Sequence, residues 1–277
     1  MKKQIIYPVI SAVILAILVY INMTIINPNQ LITRQEIIRS EKIDEKADGI
    51  LIAYFSDVNY GQLFEDEKLD RMVKTINSYN PDIIIFGGDL LDDIETPMSQ
   101  EQRDAIQNAL NSLNASIGKF AVLGDEDCLN EDKAINLLEN ASFEVLHNEI
   151  KTISLSQNSL LKIAGLDNIK NGKPDIAILN SLPADSYNMV VCHTPDLFDE
   201  VNAYNVDYML AGHSRNGQVY MPVVNLFYRD TGCEKYYRGK SHRNNTTLDI
   251  TSGVSQNKNN IRLNSDPEIV LYKLKTK

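Results

Sequence analysis

Positive charge is scarce in this chain, histidine scarcer and cysteine scarcer still. Lys2 and Lys3 are the only charged residues before Arg34, so the rest of the chain sets 25 basic residues against 37 acidic ones. A body that acidic is a poor partner for nucleic acid or for an anionic membrane surface, and no nucleic-acid role is expected. It suits bound cations. The three cysteines, Cys128, Cys192 and Cys233, are odd in number and have no CxxC spacing. That excludes a disulfide framework and a zinc knuckle, and leaves room for one pair at most. No segment recurs at a fixed period, which excludes a solenoid or propeller.

Charge is wholly missing from Gln4 to Gln30, and Ile5 to Ile21 is almost continuously apolar. Counted on to Ile26, the run has 22 residues, enough to cross a bilayer core of roughly 30 Å. A cleaved signal peptide needs a shorter apolar region and a small-x-small site, and neither is present. A buried core helix would need a polar face, which the run lacks. Residues 1–26 are therefore expected to be an uncleaved single-pass anchor. Lys2 and Lys3 favour a cytoplasmic amino terminus and an extracytoplasmic body, while Arg34, Arg39, Lys42 and Lys46 beyond the span oppose that orientation. Residues 27–48 are polar and mixed in charge and read as a stalk with some helical character. Residues 49–277 read as one domain.

With 43% hydrophobic residues the body can build a core. Ile83-Ile84-Ile85-Phe86 runs into Gly87-Gly88-Asp89, the pattern of a strand buried on both faces that delivers a carboxylate at its carboxyl end. Ile50 to Phe55 delivers Asp57 in the same way, and Phe120 to Leu123 delivers Asp125. Leu69, Met72, Val73 and Ile76 mark a helix face between the first two strands. Ile106, Leu110 and Leu113 mark the next helix, and Ile135, Leu137 and Leu138 another before the short strand Glu144-Val145-Leu146. This alternation predicts parallel crossover units. Beyond His147, residues 150–155 and 160–164 predict paired strands. Met189 to Cys192 leads into His193, Tyr208 to Ala211 into Gly212-His213, and Glu268 to Leu274 forms a last strand. The expected architecture is α/β, with two packed sheets and helices outside. Asn244 to Ser265 is rich in Asn, Ser and Thr and reads as a long surface loop.

One acid after one strand is an ordinary cap or turn residue. Three equivalent aspartates joined by two strand-end histidines point instead to a shared metal. His147 and His242 lack that setting and read as surface or structural residues.

The blocks Ser56-Asp57-Val58-Asn59, Gly88-Asp89-Leu90-Leu91-Asp92, Leu123-Gly124-Asp125-Glu126-Asp127, Cys192-His193-Thr194-Pro195-Asp196 and Gly212-His213-Ser214-Arg215 follow one another in an order that resembles the calcineurin-like metallophosphoesterases, most closely their membrane-anchored bacterial branch. The resemblance spans roughly residues 50–275. It implies a four-layer sandwich of two mixed β-sheets flanked by helices, and hydrolysis of a phosphate ester or phosphodiester. It also implies divalent metal held by Asp57, Asp89, Asp125, His193 and His213.

The family pattern is D-x-H, G-D-x-x-D, G-N-H-D/E, H and G-H-x-H, and this chain departs from it four times. Asn59 replaces a histidine, Asp125 an asparagine, Glu126 the histidine that acts as proton donor or transition-state stabiliser, and Arg215 the final histidine. Arginine cannot ligate a metal, because its guanidinium stays protonated and offers no lone pair. The resemblance thus implies one usable metal position, at Asp89, Asp125, His193 and His213, for a single zinc, manganese or iron ion. Arg215 would grip phosphate beside Asp57 in place of the second ion, and Glu126 would serve as general acid. The alternative is a catalytically inactive relative that binds or senses a ligand. The partner would be a phosphate-containing small molecule or lipid head group. Loops 59–65 and 220–239 would face it, with Phe227, Tyr228, Tyr236 and Tyr237 either walling the site or packing under a loop.

Overall fold

A computed structural model describes residues 2–61, 64–221, 230–256 and 260–277, with side chains from Ile6 onward. Phe227 and Tyr228 therefore lie outside the described residues, as do parts of both ligand-facing loops.

The chain opens with helix α1, Lys2–Ile21, extended by a π-turn over Asn22–Ile26. Its apolar stretch is long and hydrophobic enough to cross a membrane, and none of it is buried against the body. Among the described residues twelve strands follow in chain order: β1 Ile32–Ser40, β2 Leu51–Phe55, β3 Ile83–Phe86, β4 Gly118–Ala121, β5 Phe143–Val145, β6 Glu149–Ser154, β7 Leu160–Leu166, β8 Tyr187–Cys192, β9 Tyr208–Ala211, β10 Lys240–Arg243, β11 Thr246–Ile250 and β12 Glu268–Thr276. Four further α-helices are interleaved among the described residues: α2 Asp66–Ser78, α3 Gln100–Asn111, α4 Glu131–Glu139 and the single turn α5 Phe198–Val201.

The strands form two six-stranded mixed sheets, ordered β1-β12-β2-β3-β4-β5 and β10-β11-β9-β8-β7-β6. Strands β2 to β5 are mutually parallel, as are β7, β8, β9 and β11. The period-two geometry of a strand explains the layering. In β3, Ile83 and Ile85 point between the sheets, where they join Ile52, Tyr54, Ile163, Met189, Val191 and Leu210 in one buried cluster. Ile84 and Phe86 point the other way, into Leu69, Met72 and Ile76 of α2 and Ile106 and Leu110 of α3. The outer face of the second sheet is covered by a 3-10 segment at Ile176–Ser181 and by α5, through Leu179, Leu182, Phe198 and Val201. Each fully buried Ile or Leu contributes about 1.5–3 kcal/mol, so a strand apolar on both faces locks two layers at once. The expected two-sheet sandwich with helices outside is the observed fold.

Two expectations fail. Residues 27–48 are not a stalk with helical character: Ile32–Ser40 is an edge strand paired in parallel with β12, and Ile38, Ile43 and Ala47 are buried. The mixed charge that hid this strand is internally satisfied. Arg34 bonds Glu36, Glu268 and the fully buried Asp249, reaching both sheets. Residues 244–265 are not simply a surface loop either. Thr246–Ile250 is a strand inside the second sheet, and Thr251, Ser252, Ser255, Gln256 and Arg262 are buried. Their polar side chains find partners inside: the Arg262 guanidinium, for example, donates to the Ser265 and Ser255 carbonyls.

Candidate metal centre

Asp57, Asp89 and Asp125 leave the carboxyl ends of β2, β3 and β4, while His193 and His213 leave those of β8 and β9. In open α/β sheets this edge is where ligands bind. The turns are sharp. Asp57, Asp89 and His213 adopt left-handed backbone with φ of 55°, 61° and 63°. Non-glycine residues rarely do so, and such strain concentrates at functional sites. Gly88, at φ 95°, is required twice over: a Cβ there would strike the Gly124 backbone and the His193 ring.

Asp89, Asp125, His193 and His213 converge, each offering a donor atom within 4.8 Å of all the others, and all four are buried. Nδ1 of His193 lies 2.6 Å from the Gly87 carbonyl, and Nε2 of His213 lies 3.0 Å from the Thr231 carbonyl. A carbonyl only accepts, so each of those nitrogens carries a proton, and the opposite nitrogen is the one that faces the group and can offer a lone pair once its own proton is displaced. Nε2 of His193 stands 3.3 Å from both Asp89 Oδ2 and Asp125 Oδ1, and Nδ1 of His213 stands 2.8 Å from Asp125 Oδ1. Yet neither His193 Nε2 nor Asp125 Oδ1, both buried, has a well-aligned hydrogen-bond partner. Imidazoles pinned from behind by carbonyls, with unsatisfied atoms in front, are the arrangement of a metal-ligand set. Two nitrogen and two oxygen donors fit zinc, iron or manganese.

The electrostatics agree. Burial opposes charge on His193, but Asp89 and Asp125 outweigh it and hold its pKa well above the ordinary imidazole value. His213 is likewise raised to about 9 against its burial, by Asp125 and the Cys233 thiol. Asp125 is held far below the usual carboxylate range, because the two histidines overcome its desolvation. The pocket therefore attracts positive charge strongly.

Asp57 lies outside this group. It is completely buried: Oδ2 accepts from Ser56 Oγ at 2.5 Å and from the His213 amide at 3.3 Å, and Oδ1 faces Arg215 Nη2 at 3.7 Å. Arg215 Nη2 also donates to Asn59 Oδ1 at 2.7 Å. Asn59, Asp57 and Arg215 thus form a second group beside the four donors, in which Asp57 Oδ1 and Arg215 Nε, both buried, lack a hydrogen-bond partner. Glu126 is half-buried, and its amide donates to Asp89 Oδ1 at 3.1 Å.

Two contributors were not singled out from the sequence. The Asp127 carboxylate takes the amides of Asp89, Leu90 and Gly124 at 2.8, 2.9 and 2.9 Å, tying the β3 and β4 turns together. It matches the D/E that closes the G-N-H-D/E pattern, which was the signal that could have found it. Lys170 reaches Asp125 from the turn after β7, and nothing in its local sequence marks it. His147 pairs with Asp167 and His242 with Thr247, both apart from the four donors. Tyr236 packs edge-on against Phe198 at 5.3 Å and bonds Asp199, which favours the packing reading of that aromatic.

Comparison with known proteins adds the family. The chain is 29% identical over 254 residues to an uncharacterized metallophosphoesterase, YkuE, of Bacillus subtilis, covering 91% of this chain and 88% of that one. It is 25% identical over 230 residues to the phosphodiesterase YaeI of Escherichia coli, covering 80% and 81%. It is 24% identical over 225 residues to the UDP-2,3-diacylglucosamine pyrophosphatase LpxG of Chlamydia muridarum, covering 63% and 66%. The calcineurin-like phosphoesterase family model matches residues 50–215, which take in all five strand-end residues and Arg215, and the chain belongs to that family.

Proposed function

We propose that this protein is a membrane-anchored phosphoesterase that hydrolyses a phosphate ester or phosphodiester with one divalent metal ion, zinc, manganese or iron. Asp89, Asp125, His193 and His213 hold the ion, and Arg215 stands in for a second. The observation that carries this reading is the pair of buried, unpartnered atoms, His193 Nε2 and Asp125 Oδ1, inside a set of four donors. A bound divalent ion supplies Lewis-acid polarisation of a phosphoryl oxygen and lowers the pKa of water.

The chain's own residues do the rest. Gly87 and Thr231 carbonyls fix the two imidazoles, and Asp127 fixes the turns that carry Asp89 and Asp125. Arg215 brings a fixed positive charge beside Asp57 and orients a phosphoryl group. Glu126, half-buried beside Asp89, delivers a proton to the leaving oxygen. Phosphodiesterase and pyrophosphatase activities among the relatives support this substrate class. Residues 1–26 anchor a body comprising residues 49–277 together with the 32–40 strand. Lys2 and Lys3 favour placing that body outside the cytoplasm, so a lipid head group is a candidate substrate alongside soluble phosphates.

A second reading rests on one observation: Asn59, Glu126 and Arg215 stand where the family pattern has histidines, and Arg215 already bonds Asn59. On it the protein binds a phosphate-bearing ligand without turnover. Hydrolysis of a chromogenic phosphodiester by the full-length protein, with Zn2+, Mn2+ or Fe2+, separates the two. Turnover that falls at least 100-fold in His213→Ala supports the enzyme. Equal rates in both proteins reject it.

A further inference from the structure

Lys170 sits on the turn that follows β7, and that turn is tied to Asp125 twice. Asn168 Oδ1 accepts the amides of Lys170 and Asn171 at 3.1 and 3.0 Å, which shapes the turn. Asn171 Nδ2 then donates to the Asp125 carbonyl at 2.9 Å. The Lys170 ammonium meets Asp125 Oδ2 at 2.7 Å and Asp230 Oδ2 at 2.8 Å. Asp230 in turn accepts the Thr231 amide at 2.8 Å, and the Thr231 carbonyl is the group that orients His213. One ammonium therefore braces two of the four donors.

The division of labour within Asp125 is the informative part. Oδ2 is engaged by Lys170, whereas Oδ1 faces His193 and His213 and lacks an aligned partner. We infer that Lys170 is a positioning residue for the metal centre: it neutralises and orients the rear oxygen of Asp125 so that a single oxygen is presented to the ion. This rests on the metal reading above. The chemistry is specific to a carboxylate opposite an ammonium. An amide at 125 would have to point its N–H donors either at Lys170, donor against donor, or into the face lined by the imidazoles.

The test is a double-substitution cycle read by the visible spectrum of bound Co2+, titrated into chelator-stripped, detergent-solubilised full-length protein. In the wild-type background Asp125→Asn weakens Co2+ binding by about tenfold or more. In the Lys170→Met background the same change costs about threefold or less, because no ammonium then opposes the N–H donors of the amide, and the two effects are not additive. An Asp125→Asn cost that is the same in both backgrounds overturns the inference and leaves the metal reading intact. A wild-type protein with no Co2+ spectrum overturns the metal reading and this inference with it. Circular dichroism confirms folding of each variant, and Lys170→Gln repeats the cycle if Lys170→Met does not fold.

Discussion

Arg215 and Asp57 face each other at 3.7 Å, Nη2 to Oδ1, inside a layer where Asp57 has no solvent exposure. The guanidinium holds Asp57 below the usual carboxylate range against the cost of its burial. The same nitrogen bonds Asn59, so one guanidinium faces both residues that could have opened a second cation position, while Asp57 Oδ1 itself keeps no hydrogen-bond partner.

Removing that cation strands a buried carboxylate. Arg215→Met is expected to destabilise the protein by about 3 kcal/mol, the usual cost of breaking one side of a buried pair. A urea unfolding midpoint measured against wild type checks it. No change in midpoint would mean that Asp57 draws its support from Ser56 and the His213 amide alone.

Replacing the guanidinium and the amide by donors opens that position. The double variant Asn59→His with Arg215→His sets two imidazoles beside Asp57, and its metal content is expected to rise by about one equivalent. Elemental analysis on protein purified without chelator reads this directly.

The turn clamp is separable from the donors. Asp127→Asn replaces one acceptor oxygen with a donor facing backbone amides of Asp89, Leu90 or Gly124, at a cost of about 1–3 kcal/mol. Because those turns carry Asp89 and Asp125, metal affinity should fall with stability. An unfolding curve and a metal titration on the same sample measure both.

The pH dependence of the chelated protein follows from the histidines. In the folded, metal-free state His213 is raised to about 9, and His193 is raised in the same sense; unfolded histidine titrates near 6.5. The folded state binds these protons more tightly, so their contribution is complete below pH ~6.5 and is lost as pH rises through about 9. The melting temperature of chelated protein should fall over that window. Metal binding displaces the protons, so the rise in melting temperature on adding metal should grow with pH. A metal-induced shift that shrinks from pH 6.5 to 9 would contradict this.

The strands that deliver Asp57, Asp89 and Asp125 were legible because each is a continuous apolar run ending in a glycine or serine and then an acid. The histidines were legible because only four exist and two follow such runs. Strand β1 was not legible. Its charged residues look like a solvated stalk until Arg34 is seen to pair with Glu268 and Asp249, more than two hundred residues away in sequence. Strand β11 was masked in the same way, since Thr246 and Asp249 satisfy their polarity on Val206, Tyr208 and Tyr272. Lys170 is a third case: its meaning lies in a contact with Asp125 that no local pattern encodes.

The number of ions beside Asp89 tests the central claim most directly. Elemental analysis of full-length protein, purified without chelator and dialysed against metal-free buffer, should give about one equivalent of zinc, manganese or iron, lost in His193→Ala. Two equivalents in the wild type would contradict the account, because Arg215 could not then occupy the second position.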